Sequence, residues 1–430
     1  MANGNDEAGR LRRFGQRGLK GALAPAALVI LYVFFGLFGR NYFSYPTLVN
    51  IIDAAYYIGF ISMGVTFVII SGGIDLSIGT VMMCAAIIGG TVFKRGWPML
   101  PSLLTVIAVG VAFGFFNGLM VSRLKMPPFI VTLGTMMISM GVGSIFANVQ
   151  SATFPIRGQP GGWFKDIFLW ISPEGGVVPT GALLLAAVAV ICHLLLTGTR
   201  LGRYTYAIGS NMEAARLSGV DVKKWQMLAY VIAGATAGIG GISYAAIYTT
   251  VLPAQGQGFE LYAIAAAVIG GTSLSGGVGT IWGTIIGVFI MSVLSTGLPS
   301  LNLEAHYQTF FTGVIVIGAV LLDMYRTRKA AEVRIETPAE AYRAGRLREA
   351  AGLRQEAARL RAAGDGKRAD ELAARIRQAR EETRATFARM KAGQKAEQAR
   401  IRAEARAADR ELAEELKRRG PPQGDSERRP

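Results

Sequence analysis

The chain has 430 residues, 51% of them hydrophobic, with 45 Lys and Arg against 29 Asp and Glu. Apolar stretches of about 18 residues or more, long enough to cross a bilayer, recur as far as Tyr325, which excludes a soluble domain or string of domains there. The net charge of +16 does not mark a nucleic-acid groove, because about ten of those charges fall in residues 326–430 and the rest follow loop bias.

Residues 1–21 form a basic arm containing Arg10, Arg12, Arg13, Arg17 and Lys20. The apolar run 22–38 ends without a small-residue cleavage pattern and more apolar chain follows at once, so it reads as a retained first span. Further spans are predicted near 48–70, 80–93, 103–121, 128–148, 181–196, 227–247, 261–271, 280–298 and 309–322, about ten in all. The third and eighth are short, and their glycine-rich ends indicate broken helices. The expected fold class is an all-α polytopic membrane protein, with a transmembrane domain over 22–325 and a charged helical extension over 326–430.

Lys and Arg in short loops set the orientation. With both termini in the cytoplasm, the arm, Arg123, Lys125, residues 200–224 and the extension all fall inside, against the exceptions Arg40, Lys94, Arg95, Arg157 and Lys165. The longest external connection is then 150–180, which forms an outer face with 249–259. Trp97, Trp163, Trp170 and Trp225 lie beside predicted spans, as interfacial anchors do.

Three short segments interrupt this apolar pattern. Residues 71–79, S-G-G-I-D-L-S-I-G, place Gly72, Gly73, Asp75, Ser77 and Gly79 between two apolar runs. Irregular backbone at membrane depth is tolerated only where protein buries it or a wet cavity receives it. Asp75 is expected first to cap the third span, and second to touch solute or a gate. Residues 270–279, G-G-T-S-L-S-G-G-V-G, repeat the device with Ser273, Ser275, Gly276 and Gly277. Between them, 213–219 reads E-A-A-R-L-S-G: Ser210 and Asn211 offer N-cap chemistry, Glu213 suits the positive end of a short helix, and Gly219 can close it. Ala214 and Ala215 leave one helical face low enough to seat in a partner's groove. Two further carboxylates stand out. Glu260 opens the eighth span, and Asp53, inside the second, is expected to face the bundle or water.

G-G-I-D-L-S, the E-A-A-x-x-x-G run and G-G-x-S-L-x-G-G-x-G occur in this chain in the order in which they occur in sugar-importing ABC permeases of the ribose/galactose/xylose type. The chain resembles that family over about residues 22–325. The resemblance implies that Glu213, Ala214, Ala215 and Gly219 form the helix that meets the ATPase. It implies that Gly72, Gly73, Asp75, Ser77, Gly79, Ser273, Ser275, Gly276 and Gly277 mark helix breaks or the translocation path. The implied partners are a second copy of the chain, a cytoplasmic ATPase with two nucleotide-binding halves, a periplasmic sugar-binding protein and membrane lipid, in a bacterial inner membrane. Alternatives are a branched-chain amino-acid permease of the same superfamily, a carrier that works without ATP, and a membrane anchor whose extension recruits partners.

No G-x-x-x-x-G-K-[ST] occurs, and neither nucleophilic triads nor paired carboxylates are offered by a soluble domain. No catalytic residue, metal site or cofactor of this chain's own is expected; ATP and Mg would sit on the partner. Cys84 and Cys192 lie in apolar runs and read as inert small hydrophobes. His193 and His306 stand apart from any ligand cluster. No run of sequence unites stacking aromatics with planar polar groups, so a sugar site is not legible. In the extension, Thr337-Pro338 reads as a helix start, Gly364-Asp365-Gly366 as a break that gives a helical hairpin or two successive helices, and Pro421-Pro422 as the start of a disordered end.

Overall fold

The structure is a computed structural model that describes residues 24–331, 338–363 and 365–419. The basic arm, Thr337, Gly364 and the Pro421-Pro422 segment lie outside the described residues. Two compact units divide the chain, residues 1–331 and 332–430.

In the first unit, α1 (Ala24–Phe38) leads into α2 (Tyr45–Ile70). A helix that is apolar on every side is either lipid-facing or packed in protein all round, and α2 is the second kind. Accordingly, all of residues 54–70 are buried, and α2 forms the axis of the unit. Its few hydroxyls cost little there because the helix backbone accepts their protons: Ser62 donates to the Ile58 carbonyl at 2.6 Å and Thr66 to that of Ser62 at 2.7 Å. Around α2 stand α3 (Ile78–Lys94), α4 (Met99–Ser122), α5 (Pro128–Phe146) and α6 (Gly181–Gly198). Short α7 (Arg200–Ser210) and α8 (Met212–Leu217) follow, then α9 (Val222–Tyr248), α10 (Phe259–Ile269), α11 (Ile281–Ser300) and α12 (Ala305–Ala331). The last continues past the apolar run that ends near Tyr325.

Among the described residues six helices, α2, α4, α5, α6, α9 and α11, are long and apolar enough to cross a membrane. Four shorter apolar helices, α1, α3, α10 and residues Thr309–Tyr325 within α12, complete the pattern. The fold is not purely helical: two-residue strands β1 (Ala152–Thr153) and β4 (Thr250–Val251) pair antiparallel, as do β2 (Trp170–Ile171) and β3 (Val177–Val178). These ladders gather at one end of the bundle, and α7 and α8 lie at the other.

α3 and α10 are half-helices. Tyr57 lies thirteen residues before Ile70, about 20 Å up the axis of α2, and its ring centroid is 5.5 Å from that of Phe259, the first residue of α10. A Cβ placed on Gly79, the second residue of α3, would lie 3.0 Å from the Glu260 backbone nitrogen. Both helices therefore begin part-way along α2, start to start. α3 runs to the β-bearing end, where the Lys94 ammonium donates to the Ser151 carbonyl at 3.2 Å. α10 runs to the α8-bearing end.

Close approach of α4 and α9 rests on glycine. A Cβ on Gly234 would lie 2.1 Å from the Gly110 carbonyl oxygen, and one on Gly110 would lie 2.3 Å from that of Gly234. Small residues at helical spacing, here Gly110 and Gly114 against Gly234 and Gly238, with Gly118 against the Met227 backbone, let helices meet closely without a hydrophobic drive to separate them from lipid.

In the second unit, α13 (Pro338–Ala362) and α14 (Gly366–Arg419) pack as a hairpin, one of the two arrangements expected. The Asp365 carboxylate accepts from the Arg368 backbone nitrogen at 3.3 Å, and Arg361 pairs with Asp370 at 2.7 Å across the turn.

Gly234→Leu is expected to abolish a monodisperse folded peak in detergent, because overpacking against backbone exceeds the ~1–3 kcal/mol usual for a yielding core. Gly134→Leu, where nothing lies within 4 Å of the new Cβ, should elute and melt as the parent does.

Candidate functional site

The first helix break begins where α2 ends at Ile70 and closes at the start of α3. Gly72 has a φ of +82°, which only glycine adopts without strain. Asp75, 3% exposed, accepts through Oδ1 from the Ser77 backbone nitrogen at 2.9 Å and from the Ser77 hydroxyl at 2.7 Å. The carboxylate thus holds the turn that opens α3, at the helix end where negative charge is favourable.

A polar chain extends from there into neighbouring helices. Asn117 of α4 donates to the Ser77 hydroxyl at 2.9 Å and accepts from the Thr135 hydroxyl of α5 at 2.6 Å. Ser139 of α5 donates to Thr80 at 2.8 Å, and Thr132 and Tyr230 both donate to the Ile74 carbonyl at 3.4 Å. Sequence reasoning missed Asn117. Its signal was a lone amide inside an apolar run.

The second break joins α10 to α11. The Ser273 backbone nitrogen donates to the Val278 carbonyl at 2.9 Å, which closes a loop containing Gly276 and Gly277 at φ of +83° and +72°. Asp323 of α12 pins this loop: its carboxylate accepts from the Ser273 hydroxyl at 3.1 Å and from the Leu274 backbone nitrogen at 3.0 Å. Glu260, at the far end of α10, accepts through both oxygens from the Gly258 nitrogen at 2.9 and 3.0 Å.

The two breaks touch each other and α7. The Gly277 nitrogen donates to the Ile70 carbonyl at 2.9 Å. A Cβ on Gly209, near the end of α7, would lie 1.7 Å from that carbonyl oxygen and 2.5 Å from the Gly277 nitrogen. Tyr206, also on α7, donates to the Gly279 carbonyl at 2.6 Å. α8 follows two residues after Gly209. Asn211 caps it by accepting from the Ala214 nitrogen at 2.9 Å, and Gly219, at φ of +83°, terminates it with its own nitrogen on Arg216 and that of Val220 on Ala215. Ala215 is buried. Ala214 is exposed, as is the pair Glu213–Arg216 at 3.0 Å. The end of α7 therefore meets the start of the first break and the glycines of the second, and α8 follows it directly in the chain, whereas Asp75, Ser77 and Gly79 lie further up α2, beside the start of α10.

On the other side of the bundle, the long connection carries Lys165, buried and donating to the Thr249 hydroxyl. Burial pushes its ammonium pKa down, and neighbouring Arg157 adds to the effect. Arg157 itself pairs with Asp166 at 2.7 Å. The fold also assembles what the sequence did not display, an aromatic group drawn from three separate helices: Tyr57, Tyr244, Tyr248, Phe259 and Tyr262. Cys84 and Cys192 are buried free thiols, and among the described residues no group of His, Cys, Asp and Glu could hold a metal ion.

Residues 47–320 match the family described as the branched-chain amino acid transport system permease component, and the chain belongs to that family of membrane permeases. It is 34% identical over 300 residues to the ribose import permease protein of Escherichia coli strain K12, covering 69% of this chain and 91% of that protein. To the ribose import permease protein of Bacillus subtilis strain 168 it is 35% identical over 315 residues, 71% of this chain and 94% of the relative. The D-allose transport system permease protein of Escherichia coli strain K12 is 33% identical over 298 residues, 69% and 89% of the two chains. No solved structure matches.

Asp75→Leu leaves two donors of Ser77 without their acceptor and is expected to cost about 1–3 kcal/mol. Asp75→Asn keeps a carbonyl acceptor and should cost less, with Asn117→Ala comparable to the leucine variant. Thermal melting of the purified protein in detergent gives the order, and equal melting for Asp75→Leu and Asp75→Asn would remove the capping role.

Proposed function

We propose that this chain is the membrane-spanning subunit of an ATP-driven importer for a simple sugar or sugar-like polyol. The junction at Gly209 carries the proposal. α8, the helix proposed to meet the ATPase, is joined through α7 to both helix breaks, so a push on α8 reaches both at once. Ten spans with both termini cytoplasmic fit the alternating directions of the ten apolar helices. The α8-bearing end carries Arg123, Lys125, Arg200, Arg203, Arg216, Lys223 and Lys224, in keeping with the cytoplasmic bias of Lys and Arg. A soluble protein that delivers solute would dock on the opposite, β-bearing end. Two copies of the chain would line the path.

Charge favours a neutral solute over an amino acid. Half-helix starts inside a membrane are positive ends that commonly receive a substrate's carboxylate. In this chain the starts of α3 and α10 are occupied by its own carboxylates, Asp75 and Glu260. A zwitterion would find that charge already neutralised, whereas a sugar needs none. The relatives named for ribose and D-allose import agree with this reading.

The chain itself holds no phosphate-binding loop, so ATP and Mg belong to a cytoplasmic partner with two nucleotide-binding halves. Purification from the native host in mild detergent should recover that ATPase, and Gly219→Pro, which forbids the left-handed closure of α8, should reduce its recovery by an order of magnitude or more. Clean recovery of the permease without an ATPase would favour an ATP-independent carrier. Tyr206→Phe, which removes the bond from α7 to the Gly279 carbonyl without adding bulk, is expected to keep the ATPase bound and hydrolysing while solute uptake falls several-fold, since a conformational change must reach both breaks to matter. Unchanged uptake in that variant would rule out α7 as the transmitting element.

A further inference from the structure

Resting on the importer reading, we infer that the faces of α2, α9 and α10 around Asp53 form a solute subsite, in which Tyr57, Tyr244, Tyr248 and Phe259 supply an aromatic wall and Asp53 accepts hydroxyl protons of a sugar. The rings form one continuous group. Tyr57 lies 5.6 Å from Tyr244, 6.1 Å from Tyr248 and 5.5 Å from Phe259, and Tyr244 lies 4.5 Å from Tyr248. Asp53 and Tyr57 are four residues apart on α2 and therefore share a face. Tyr248 is 49% exposed and Tyr244, Phe259 and Asp53 are half-buried, so the wall is open on its Tyr248 side while Tyr57 backs it from the core.

The carboxylate lacks what a structural carboxylate has. Oδ1 of Asp53 is buried and has no hydrogen-bond partner among the described residues, whereas Asp75, Glu260 and Asp323 each accept from at least one backbone nitrogen. The cation that acts on Asp53, Arg157, is already paired with Asp166. A buried acceptor without a donor costs free energy unless something supplies one. Sugar hydroxyls are such donors, and an ionised carboxylate accepts at two oxygens, so it can take two neighbouring hydroxyls of one ring. The apolar C–H face of that ring would lie on the tyrosines, as flat amphipathic ligands do on aromatic walls. An anionic solute is disfavoured by the same carboxylate.

Position gives the subsite a consequence. Asp53 and Tyr57 stand on α2, which ends at the first break, and Phe259 stands on α10, which ends at the second. A solute held there touches both helices that α7 engages at their other ends, so occupancy and the coupling turn act on the same two elements.

The test is uptake of labelled D-ribose, D-allose and L-leucine by cells that make the full chain with its ATPase and binding protein. Binding-protein-stimulated ATP hydrolysis is measured on the same complexes. With the wild type carrying a sugar, Asp53→Asn and Tyr248→Ala should lower uptake about tenfold or more, chiefly through KM, as expected for lost ligand contacts. ATP hydrolysis should stay within about twofold, and Tyr248→Phe, which keeps the ring, should regain most of the loss. Leu183→Ala, on an exposed face of α6, should behave as the parent. Sugar uptake unaltered in Asp53→Asn and Tyr248→Ala would overturn the subsite and leave the importer reading standing. Equal loss of uptake and hydrolysis, unrescued by Tyr248→Phe, would make the group structural and likewise overturn it. Leucine uptake without sugar uptake, or uptake of none of the three, would overturn the sugar reading and the subsite with it.

Discussion

An unwound backbone inside a bilayer has no water to bond, so every freed N–H and C=O must find a partner in the protein. The rest of this structure depends on how that demand is met at two places, residues 71–77 and 270–280. At the first, Asp75, Thr132 and Tyr230 take or give the bonds that a helix would have made. At the second, Asp323 and Ser273 do so. The cost of breaking the helices is met by side chains from four others, which is why polar residues appear in otherwise apolar runs of α4, α5, α9 and α12. Between the two breaks, a single backbone bond from Gly277 to Ile70 replaces two separate solutions with a shared one.

Glycine makes that sharing possible through close approach. At Gly209 and at the α4–α9 contact, backbone meets backbone at distances that no Cβ would allow. Elsewhere the bundle behaves as an ordinary lipid-facing one. The outer faces of α4, α5 and α6 expose residues such as Leu104, Ile130, Met137 and Ile191, which are stable only against hydrocarbon. The polar and glycine-rich features lie toward α2, and the apolar bulk lies away from it.

Much of this was legible in the sequence. Among the described residues the apolar runs coincide with six helices long enough to span and with four shorter apolar ones, so ten full spans are not established, and the glycine-rich interruptions located both breaks. Asn211 and Gly219 bounded α8 by local rules alone, since a cap and its helix are neighbours in sequence. What could not be read was assembled from distant segments. Asn117 meets Ser77 across forty residues, Asp323 meets Ser273 across fifty, and Tyr57 meets Phe259 across two hundred. Nothing in the sequence near Tyr57 announces an aromatic neighbour, because hydrophobic periodicity reports which face is buried and not against what. The half-helix character of α3 and α10 was only partly visible. Their short length showed in the sequence, but their shared starting level on α2 is a tertiary fact.

The geometry also constrains how motion could pass through the molecule. The Ile70 carbonyl is both the last acceptor of α2 and the partner of Gly277, and the same oxygen lies against Gly209. If α7 moved while one break stayed fixed, the Gly277–Ile70 bond would have to open. Losing a backbone hydrogen bond costs about 0.5–1.5 kcal/mol. Moving both breaks with α7 keeps the bond and avoids that cost. Sequential opening, one break and then the other, is therefore the more expensive route. A concerted shift of α2 and α10 about a preserved Gly277–Ile70 bond is the cheaper one, and it follows from the bond that the two breaks share rather than from any property of the solute.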